Sequence, residues 1–314
     1  MNSHVRVGSV ELTHPVMAAS GTAGHGAELA AYGSLDAIGA IVVKSISATE
    51  WAGNPAPRLY PIAQGMINAV GLQGSGVQHW IEHDLPAMAA VNASAVVSIW
   101  GRSVDEYRQA AQLLQDGLMH SPHRSTVIAV EVNLSCPNMH GHGIFAHDIA
   151  MSAEVMRVCS LLEYPLWAKL SPNTDQVIAV ARAVHEAGAE AVTLINTVVG
   201  MVLDPETGRP ALGNGGGGIS GRAIHPVAVR TVFDVHAALP NLPIVGVGGV
   251  TSGWEAAELM LAGASAVQVG TATFADPRAC FKIASELTAF AQRRGLSEIA
   301  HLTGLAHRGG LSQS

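Results

Sequence analysis

TVIAVEVNLSCPN, residues 126–138, joins an apolar run to a polar tip. An apolar run of this kind is typical of a strand that is buried on both faces, as in parallel sheets. Pro137 cannot donate a ladder hydrogen bond and restricts Cys136 to extended conformations, so the strand ends near the thiol. The tip offers this thiol and three more polar side chains to a small ligand: Asn133, Ser135 and Asn138.

The position of Cys136 favours a functional thiol over a core residue. A free cysteine usually behaves as a small buried hydrophobe. Cys136, however, stands between a serine and a proline beyond the end of the apolar run, and the chemistry of barrel proteins lies past the C-terminal ends of their strands. We therefore predict that the thiol takes part in chemistry.

Eight short apolar segments recur along the chain and predict its fold. Stretches with apolar residues at helical spacing separate most of them. Eight strands that alternate with helices over 314 residues point to an α/β fold, a (β/α)8 TIM barrel, which we expect to form a single domain over residues 1–314. The predicted strands are residues 16–19, 40–43, 95–99, 127–132, 166–170, 191–195, 244–247 and 266–269. The predicted helices are residues 77–91, 104–118, 149–162, 176–187, 223–239, 254–261 and 277–294.

Three further segments shape the ends of this barrel. A hairpin at residues 5–12 precedes the first strand and is expected to cap one end. Two connections, residues 45–76 and 197–222, are longer than a barrel requires and both leave the C-terminal ends of strands. They should therefore cover the same face, where long loops commonly shape a site. The glycine-rich LGNGGGGISG in the second connection favours close backbone approach to a ligand.

The composition limits the partners that we expect. The chain is 48% hydrophobic and 13% charged, with a net charge of -7, and it contains no Lys/Arg cluster that would follow a phosphate backbone, which disfavours nucleic acid. The N-terminal sequence lacks the apolar stretch of a signal peptide, and no apolar run reaches about 18 residues. We therefore expect a cytoplasmic protein that binds no membrane.

The predicted strand ends place polar and small groups at one mouth of the barrel. Lys44 and Lys169 each end an apolar strand and can face an anionic ligand or negative charge on a cofactor ring. The glycine-rich ends of the last two strands offer backbone N–H groups where barrels commonly hold a phosphate. The candidate set is Ser20, Lys44, Ser98, Asn133, Cys136, Lys169, Asn196, Gly248, Gly249, Gly270 and Thr271.

The other histidines and cysteines suggest no metal site. His140, His142 and His147 follow the Cys136 loop, but their spacing matches no common ligand pattern. Cys159 and Cys280 fall in helical patterns and are predicted core residues. Three cysteines without a CxxC pair fit a reducing compartment and are too few to hold an iron-sulfur cluster.

A series of short motifs occurs in one order along nearly the whole chain. They are AASG at residues 18–21, VKSIS at residues 43–47, GNPAPR, GMINAVGLQ, NLSCPN, WAKLSPN, LINT, TGRPALGNGGGGISGRAI, VGVGGV and VGTA. In this order they resemble the class 1 dihydroorotate dehydrogenases, FMN-dependent barrel enzymes of pyrimidine biosynthesis. The cysteine of NLSCPN distinguishes class 1 from the membrane-associated class 2. LGNGGGGISG is most similar to the class 1B branch, in which a partner subunit with FAD and an iron-sulfur cluster passes electrons to NAD.

The resemblance implies a role for each site residue. Cys136 would remove a proton from C5 of dihydroorotate while hydride leaves C6 for N5 of FMN, and Lys169 would lie near N1 and O2 of the flavin. The implied substrate contacts are Lys44, Asn68, Ala69, Val70, Gly71, Leu72, Asn133, Asn138, Asn196 and Thr197. The implied FMN contacts are Ser20, Lys44, Ser45, Ser98, Asn133, Lys169, Ile195, Gly221, Gly248, Gly249, Gly270 and Thr271. The resemblance also implies a homodimer, to which class 1B enzymes add the electron-transfer subunit.

Two places depart from the family pattern. Ser98 stands where the family usually has an asparagine after the third strand, and the bulky Trp100 follows it. Gly74 in GLQGSG occupies another position that is usually asparagine. The first departure would remove a carboxamide contact to the flavin and the second a loop contact, so both predict altered FMN binding or a reshaped site.

Other functions stay open at this point. A dihydropyrimidine dehydrogenase-like subunit reduces uracil or thymine with a similar cysteine, although Lys44 and the complete NLSCPN favour a carboxylated substrate. A tRNA-dihydrouridine synthase should show a basic face, which the acidic balance disfavours. Ser98 and Gly74 are compatible with a flavin-binding paralogue without turnover, whereas a sugar-phosphate isomerase or lyase would be colourless. The motifs do not determine whether NAD, through a partner, or fumarate accepts the electrons.

Overall fold

The computed structural model describes residues 1–135 and 147–311. Eight parallel strands form a closed barrel in which each strand pairs with the next barrel strand along the chain. The predicted (β/α)8 fold is therefore confirmed. The strands in the described ranges are β1 (Val5–Val7), β2 (Val10–Leu12), β3 (Val16–Ala18), β4 (Ala40–Val42), β5 (Leu59–Ile62), β6 (Gly65–Asn68), β7 (Ala95–Ile99), β8 (Val127–Asn133), β9 (Leu166–Lys169), β10 (Ala191–Leu194), β11 (Val198–Gly200), β12 (Gly217–Ser220), β13 (Ile244–Val247) and β14 (Ala266–Val269).

The barrel consists of β3, β4, β7, β8, β9, β10, β13 and β14. Every residue of β7 is buried, and in β8 only Ile128 is partly exposed. Side chains fill the inside of such a barrel while helices cover its outside. This two-sided burial explains why the barrel strands appear in the sequence as continuous apolar runs rather than as alternating patterns.

The α-helices in the described ranges follow the predicted segments, except for the short α8, which was not predicted. They are α1 (Val77–His79), α2 (Leu85–Ala90), α3 (Val104–His120), α4 (Ile149–Cys159), α5 (Val177–Glu186), α6 (His225–Ala238), α7 (Gly253–Ala262), α8 (Ala272–Ala275) and α9 (Ala279–Arg293). The π-helical segment Trp80–Asp84 joins α1 to α2. Side-chain caps determine where several helices begin: Ser103, Asp148 and Ser252 accept hydrogen bonds from backbone N–H groups of the first turns of α3, α4 and α7.

The predicted N-terminal hairpin is present as the antiparallel pair of β1 and β2. The Ser9 backbone N–H and hydroxyl donate hydrogen bonds to Glu190 Oε2 at 2.8 and 2.6 Å. Glu190 directly precedes β10, so the hairpin lies at the N-terminal end of the barrel, opposite the face that carries the strand C-termini. The prediction that it caps one end is confirmed.

The two long connections meet in one sheet. The first contributes β5 and β6, the second contributes β11 and β12, and the four strands pair in the order β11-β12-β6-β5. Gly218 is paired with Asn68 in this sheet. A small apolar cluster of Ile67, Ala69 and Leu212 lies against the sheet, separate from the main core. Both connections border the C-terminal face, as predicted.

His14 connects the hairpin region to α9. Only 6% of its surface is exposed, its Nδ1 accepts a hydrogen bond from the Val16 N–H at 3.1 Å, and its Nε2 lies 3.2 Å from Thr288 Oγ1. Burial lowers the pKa of His14 from 6.5 to about 4, because the buried imidazolium is poorly solvated.

We expect the free energy of unfolding to fall between about pH 7 and pH 4, with about 3 kcal/mol of the loss due to His14. In this range the unfolded chain takes up a proton at His14 that the folded chain does not bind, so acid favours unfolding. Urea denaturation at several pH values measures the slope. His14→Gln keeps an acceptor for the Val16 N–H and is the control. Equal slopes in the two proteins would contradict the assignment.

None of the helices in residues 1–135 and 147–311 combines the length and the apolar character that a membrane crossing requires.

Candidate active site

A cavity lies at the C-terminal mouth of the barrel and is bordered by the four-stranded sheet. It holds about 1030 Å³ of empty space, its open mouth included. Most of the site residues predicted from the sequence line its wall, although they come from distant parts of the chain. They are Ser20, Lys44, Ser45, Asn68, Val70, Gly71, Leu72, Asn133, Lys169, Ile195, Asn196, Thr197, Gly248, Gly249, Gly270 and Thr271.

The remaining predicted residues lie elsewhere. Ala69 is buried in the small apolar cluster. Ser98 is fully buried behind Ser45, to which it is hydrogen-bonded. The carbonyl oxygen of Gly221 lies beside Gly249. Four more predicted or considered residues lie outside the described ranges: Cys136, Asn138, His140 and His142.

A chain of hydroxyl and amide groups crosses the wall near Ser45. Ser45 Oγ lies 2.8 Å from Ser98 Oγ and accepts a hydrogen bond from Asn133 Nδ2 at 3.1 Å. Ser20 Oγ donates to the Val43 carbonyl at 2.8 Å. Ser98 therefore uses its hydroxyl to hold Ser45, which itself lines the cavity. In this arrangement Ser98 acts through a neighbouring side chain.

The carboxamides of Asn133 and Asn196 are oriented by one serine. Ser135 Oγ donates to Asn133 Oδ1 at 3.1 Å and accepts from Asn196 Nδ2 at 2.8 Å. The buried Tyr107 hydroxyl donates to the backbone carbonyl of Asn133 at 2.6 Å. These hydrogen bonds to the protein itself restrict both amides, which reduces the entropy that they lose on ligand binding.

Lys169 stands above a buried carboxylate. Its Nζ lies 3.7 Å from Glu131 Oε1, and the side chain of Glu131 is fully buried. Thr193 Oγ1 and Gln268 Nε2 donate to Glu131 Oε2 at 2.9 and 3.1 Å. Glu131, Thr193 and Gln268 were not among the site residues predicted from the sequence. Their signal was a single polar residue inside each of three otherwise apolar strands.

Trp100, which follows the first departure from the family pattern, and Gly74, the second departure, both lie against Trp51. Its backbone pairs with that of Gly74, and its Nε1 donates to the Gly71 carbonyl at 2.9 Å. The ring of the buried Trp100 packs edge-on against the Trp51 ring, with 6.0 Å between the ring centres. The Arg102 guanidinium lies 4.5 Å from the centre of the Trp51 ring. Trp100 and Gly74 thus support the loop that brings Gly71 to the cavity.

Glycine is required where the seventh barrel strand ends. Gly249 has a φ of +69°, and a Cβ there would lie 2.7 Å from His225 Cβ and 2.8 Å from the Gly221 carbonyl oxygen. A Cβ on Gly248 would lie 2.7 Å from Ala228 Cβ. The backbone can therefore form this part of the wall only without side chains. His225 holds the turn, because its Nδ1 lies 2.7 Å from the Gly248 carbonyl oxygen.

Several lining residues were not predicted. Ser220 Oγ accepts a hydrogen bond from Thr271 Oγ1 at 2.8 Å, which joins the second long connection to the end of β14. Leu59 and Phe274 are apolar but about half exposed, at 50% and 54%. The others are Ala19, Gly21, Thr22, Ile224 and Val247. Five of these residues lie within the motifs AASG, TGRPALGNGGGGISGRAI and VGVGGV, which contained their signal, whereas nothing in the local sequence distinguishes Thr22, Leu59 and Phe274.

The two described cysteines lie away from this cavity. Cys159 on α4 and Cys280 on α9 are buried, and burial raises the pKa of each thiol to about 12. Both thiols are therefore protonated and unreactive near neutral pH, and their predicted core role is confirmed. In residues 1–135 and 147–311, no group of three or more His, Cys, Asp or Glu side chains is arranged to hold a metal ion.

The lining suits a flat polar ligand that carries an anionic group. Lys44 and Lys169 supply positive charge, and the asparagines supply both donors and acceptors. Ile195 and Val247 supply apolar surface, and the glycine turns allow close backbone approach. A heteroaromatic ring system with a phosphate tail would use all of these groups.

Comparison with known proteins agrees with this chemistry. The family model for dihydroorotate dehydrogenase matches residues 3–290. A relative from Geobacter sp. (strain M21), named dihydroorotate dehydrogenase B (NAD(+)), catalytic subunit, is 44% identical over 302 residues, which cover 96% of this chain and 96% of the relative. The subunit of the same name from Desulforudis audaxviator (strain MP104C) is 44% identical over 308 residues and 98% of each chain. The similarity includes both connections that border the cavity.

Proposed function

Since this chain belongs to the dihydroorotate dehydrogenase family, we propose that it oxidises dihydroorotate to orotate in pyrimidine biosynthesis, with FMN as its bound cofactor. The observation that carries the proposal is the convergence of two lysines and three asparagines on one cavity at the strand C-termini. The five residues are Lys44, Lys169, Asn68, Asn133 and Asn196. Separate strands and connections supply them, so their meeting is a property of the whole fold.

The cavity offers groups for each part of FMN. Gly248, Gly249, Gly270 and Thr271 provide glycine-rich backbone at one side of the wall, which suits a phosphate group. Lys169 supplies the cation that would stabilise negative charge on the reduced ring. We assign the remaining FMN contacts to Ser20, Lys44, Ser45, Asn133 and Ile195, with Ser98 and Gly221 acting through the residues beside them.

The substrate fits the remaining polar groups. Dihydroorotate carries a carboxylate, which we assign to Lys44, and a ring of alternating donors and acceptors, which the asparagine amides can match. The loop of residues 68–72 and Thr197 complete the substrate contacts that we propose, together with Asn138. Support for the loop comes from its hydrogen bonds to Trp51 and Asn54.

The chain's own residues account for substrate orientation and proton removal. The preoriented carboxamides hold the ring, Lys44 holds the carboxylate, and Cys136 follows the strand end that carries Asn133, from which we assign it the role of base at C5. Because a thiolate is the competent form, the rate should rise with pH. FMN, when bound, supplies the acceptor for the hydride from C6.

We propose that electrons leave through a partner subunit. The relatives named above are catalytic subunits of an NAD(+) enzyme, a name that implies at least one further subunit in those proteins. From the class 1B resemblance of its motifs, we propose that this chain forms a homodimer in the cytoplasm and associates with an FAD and iron-sulfur subunit that reduces NAD.

An anaerobic absorbance titration tests this function. The purified chain should be yellow, and its flavin band should bleach on addition of dihydroorotate. Uracil and thymine should not reoxidise the reduced flavin. Reoxidation by neither NAD nor fumarate would fit a catalytic subunit that needs its partner, whereas reoxidation by fumarate alone would contradict the proposed partner. Bound flavin that dihydroorotate cannot bleach would overturn the proposed reaction.

A further inference from the structure

Glu131 is a buried carboxylate in the interior of the barrel. It belongs to β8, two residues before Asn133, and none of its surface is exposed. Transfer of a carboxylate from water into such a place is costly unless a cation and hydrogen-bond donors compensate it. The groups that contact Glu131 should therefore indicate the function of its charge.

The two carboxylate oxygens have different surroundings. Oε2 accepts both hydrogen bonds, from Thr193 Oγ1 and Gln268 Nε2. Oε1 is buried and has no hydrogen-bond partner in the part of the chain that the structure describes. The Lys169 Nζ lies 3.7 Å from this second oxygen. Neutral donors thus fix one side of the carboxylate, and its other side faces the ammonium group.

Lys169 lies between this carboxylate and the cavity. It lines the cavity wall, yet only 8% of its side chain is exposed. An ammonium group in such a position exerts a strong field on any ligand, because little water screens it. Glu131 supplies the opposite charge at short range and so reduces that field.

We propose that Glu131 is a positioning residue that holds the Lys169 ammonium and, by offsetting its charge, lowers the reduction potential of the flavin. This inference rests on the proposed binding of FMN. Reduction adds negative charge to the flavin ring, and a nearby cation favours the reduced form. The carboxylate counteracts that preference. Lys169 and Glu131 together therefore set the potential, and Thr193 and Gln268 keep the carboxylate in place.

The reduction potential of the FMN-bound protein, measured by dye equilibration, tests the electrostatic part. In Glu131→Gln the amide oxygen can still accept from Thr193 and Gln268, but the charge is gone. We expect the variant to bind reduced FMN about tenfold more tightly relative to oxidised FMN, the order expected for one charge at about 10 Å and an effective dielectric constant of about 20. Tenfold corresponds to an increase of about 30 mV for a two-electron couple.

Thr193→Val is the matched control. It removes one hydrogen bond to Glu131 Oε2 and leaves the charge unchanged. The change in its reduction potential should therefore be at most about a third of the change in Glu131→Gln. A potential in Glu131→Gln equal to that of the wild type would overturn the proposal, as would an equal shift in Thr193→Val. Wild-type protein that binds no FMN would instead contradict the proposed function.

A thermal-melting cycle tests the pairing without flavin. Removal of one partner of a buried ion pair leaves an uncompensated charge, whereas removal of both is often tolerated. We expect Glu131→Gln to lower the Tm of the apoprotein by about 5 °C or more, and addition of Lys169→Met to restore at least half of that loss. If Glu131→Gln alone does not fold, a folded double variant gives the same answer. A double variant no more stable than Glu131→Gln would show that the two residues do not act together.

Discussion

Cys136→Ala is expected to lower the rate of flavin reduction by dihydroorotate by about 10²- to 10⁴-fold at neutral pH, the range that a positioned general base contributes. The variant should keep its FMN, because none of the proposed FMN contacts is changed. Rapid mixing of the anaerobic enzyme with dihydroorotate, followed at the flavin band, measures the reductive step directly. The assignment of Cys136 depends on the sequence, since the residue lies outside the described ranges.

The pH profile gives a second measure of the same thiol. An ordinary cysteine has a pKa of about 8.5, so the thiolate fraction and the rate should both rise as the pH increases from about 6 to about 8. In Cys136→Ala this rise should disappear from the residual rate. A profile in the wild type that falls over this range would contradict a thiolate base.

Cys159→Ala is the matched control for this experiment. Cys159 lies in the core on α4, and burial raises the pKa of its thiol to about 12. It cannot supply a thiolate near neutral pH, so the variant should keep its rate within about twofold. A loss in Cys159→Ala as large as that in Cys136→Ala would indicate general damage to the fold rather than loss of a base.

Gly218→Ala is expected to raise the KM for dihydroorotate by about tenfold or more and to leave FMN bound. A Cβ on Gly218 would lie 1.9 Å from Thr197 Oγ1 and 2.6 Å from Thr197 Cβ. Rotation of the threonine cannot relieve the second contact, so the backbone of one strand must move. Gly218 is paired with Asn68, whose Nδ2 donates to the Gly218 carbonyl at 3.3 Å. The shift would therefore displace two proposed substrate contacts together.

Gly215→Ala separates this effect from a general loss of glycine in the connection. A Cβ there meets no atom within 4 Å, and only the φ of +83° makes the substitution unfavourable, at a cost of about 1 kcal/mol. Its KM should stay within about threefold of the wild type. Steady-state kinetics of both variants, with FMN content measured by absorbance, make the comparison. An unchanged KM in Gly218→Ala would show that the paired connections do not position the substrate.

The barrel itself was predictable because its signal is local. Each barrel strand is buried on both faces, so each appears as a short apolar run, and helical spacing between the runs indicates the covering helices. The structure contains all eight predicted strands, with bounds within one residue of the prediction. Polar residues at the strand ends predicted a shared site, because strands of one parallel barrel all end at the same face.

Pairing between distant connections was not predictable in this way. The sequence showed two long connections over one face, but not that β12 pairs with β6 or that Gly218 meets Asn68. These residues are separated by 150 positions, and short strands within long connections carry no local signal that identifies their partner. The small cluster around Ile67 follows from that pairing and could not be inferred without it.

The sequence by itself determined the barrel, the order of its strands and the polar groups at the strand ends. The reason is that the burial of each segment appears as a local pattern of apolar residues. Only the tertiary structure decided which of these groups contact one another. Glu131, two residues before Asn133 in the opening stretch, received no role from the sequence, yet it lies 3.7 Å from Lys169 on the neighbouring strand. The physical reason is that the effect of a buried charge depends on its distance through space to other groups, and the closure of the barrel sets those distances.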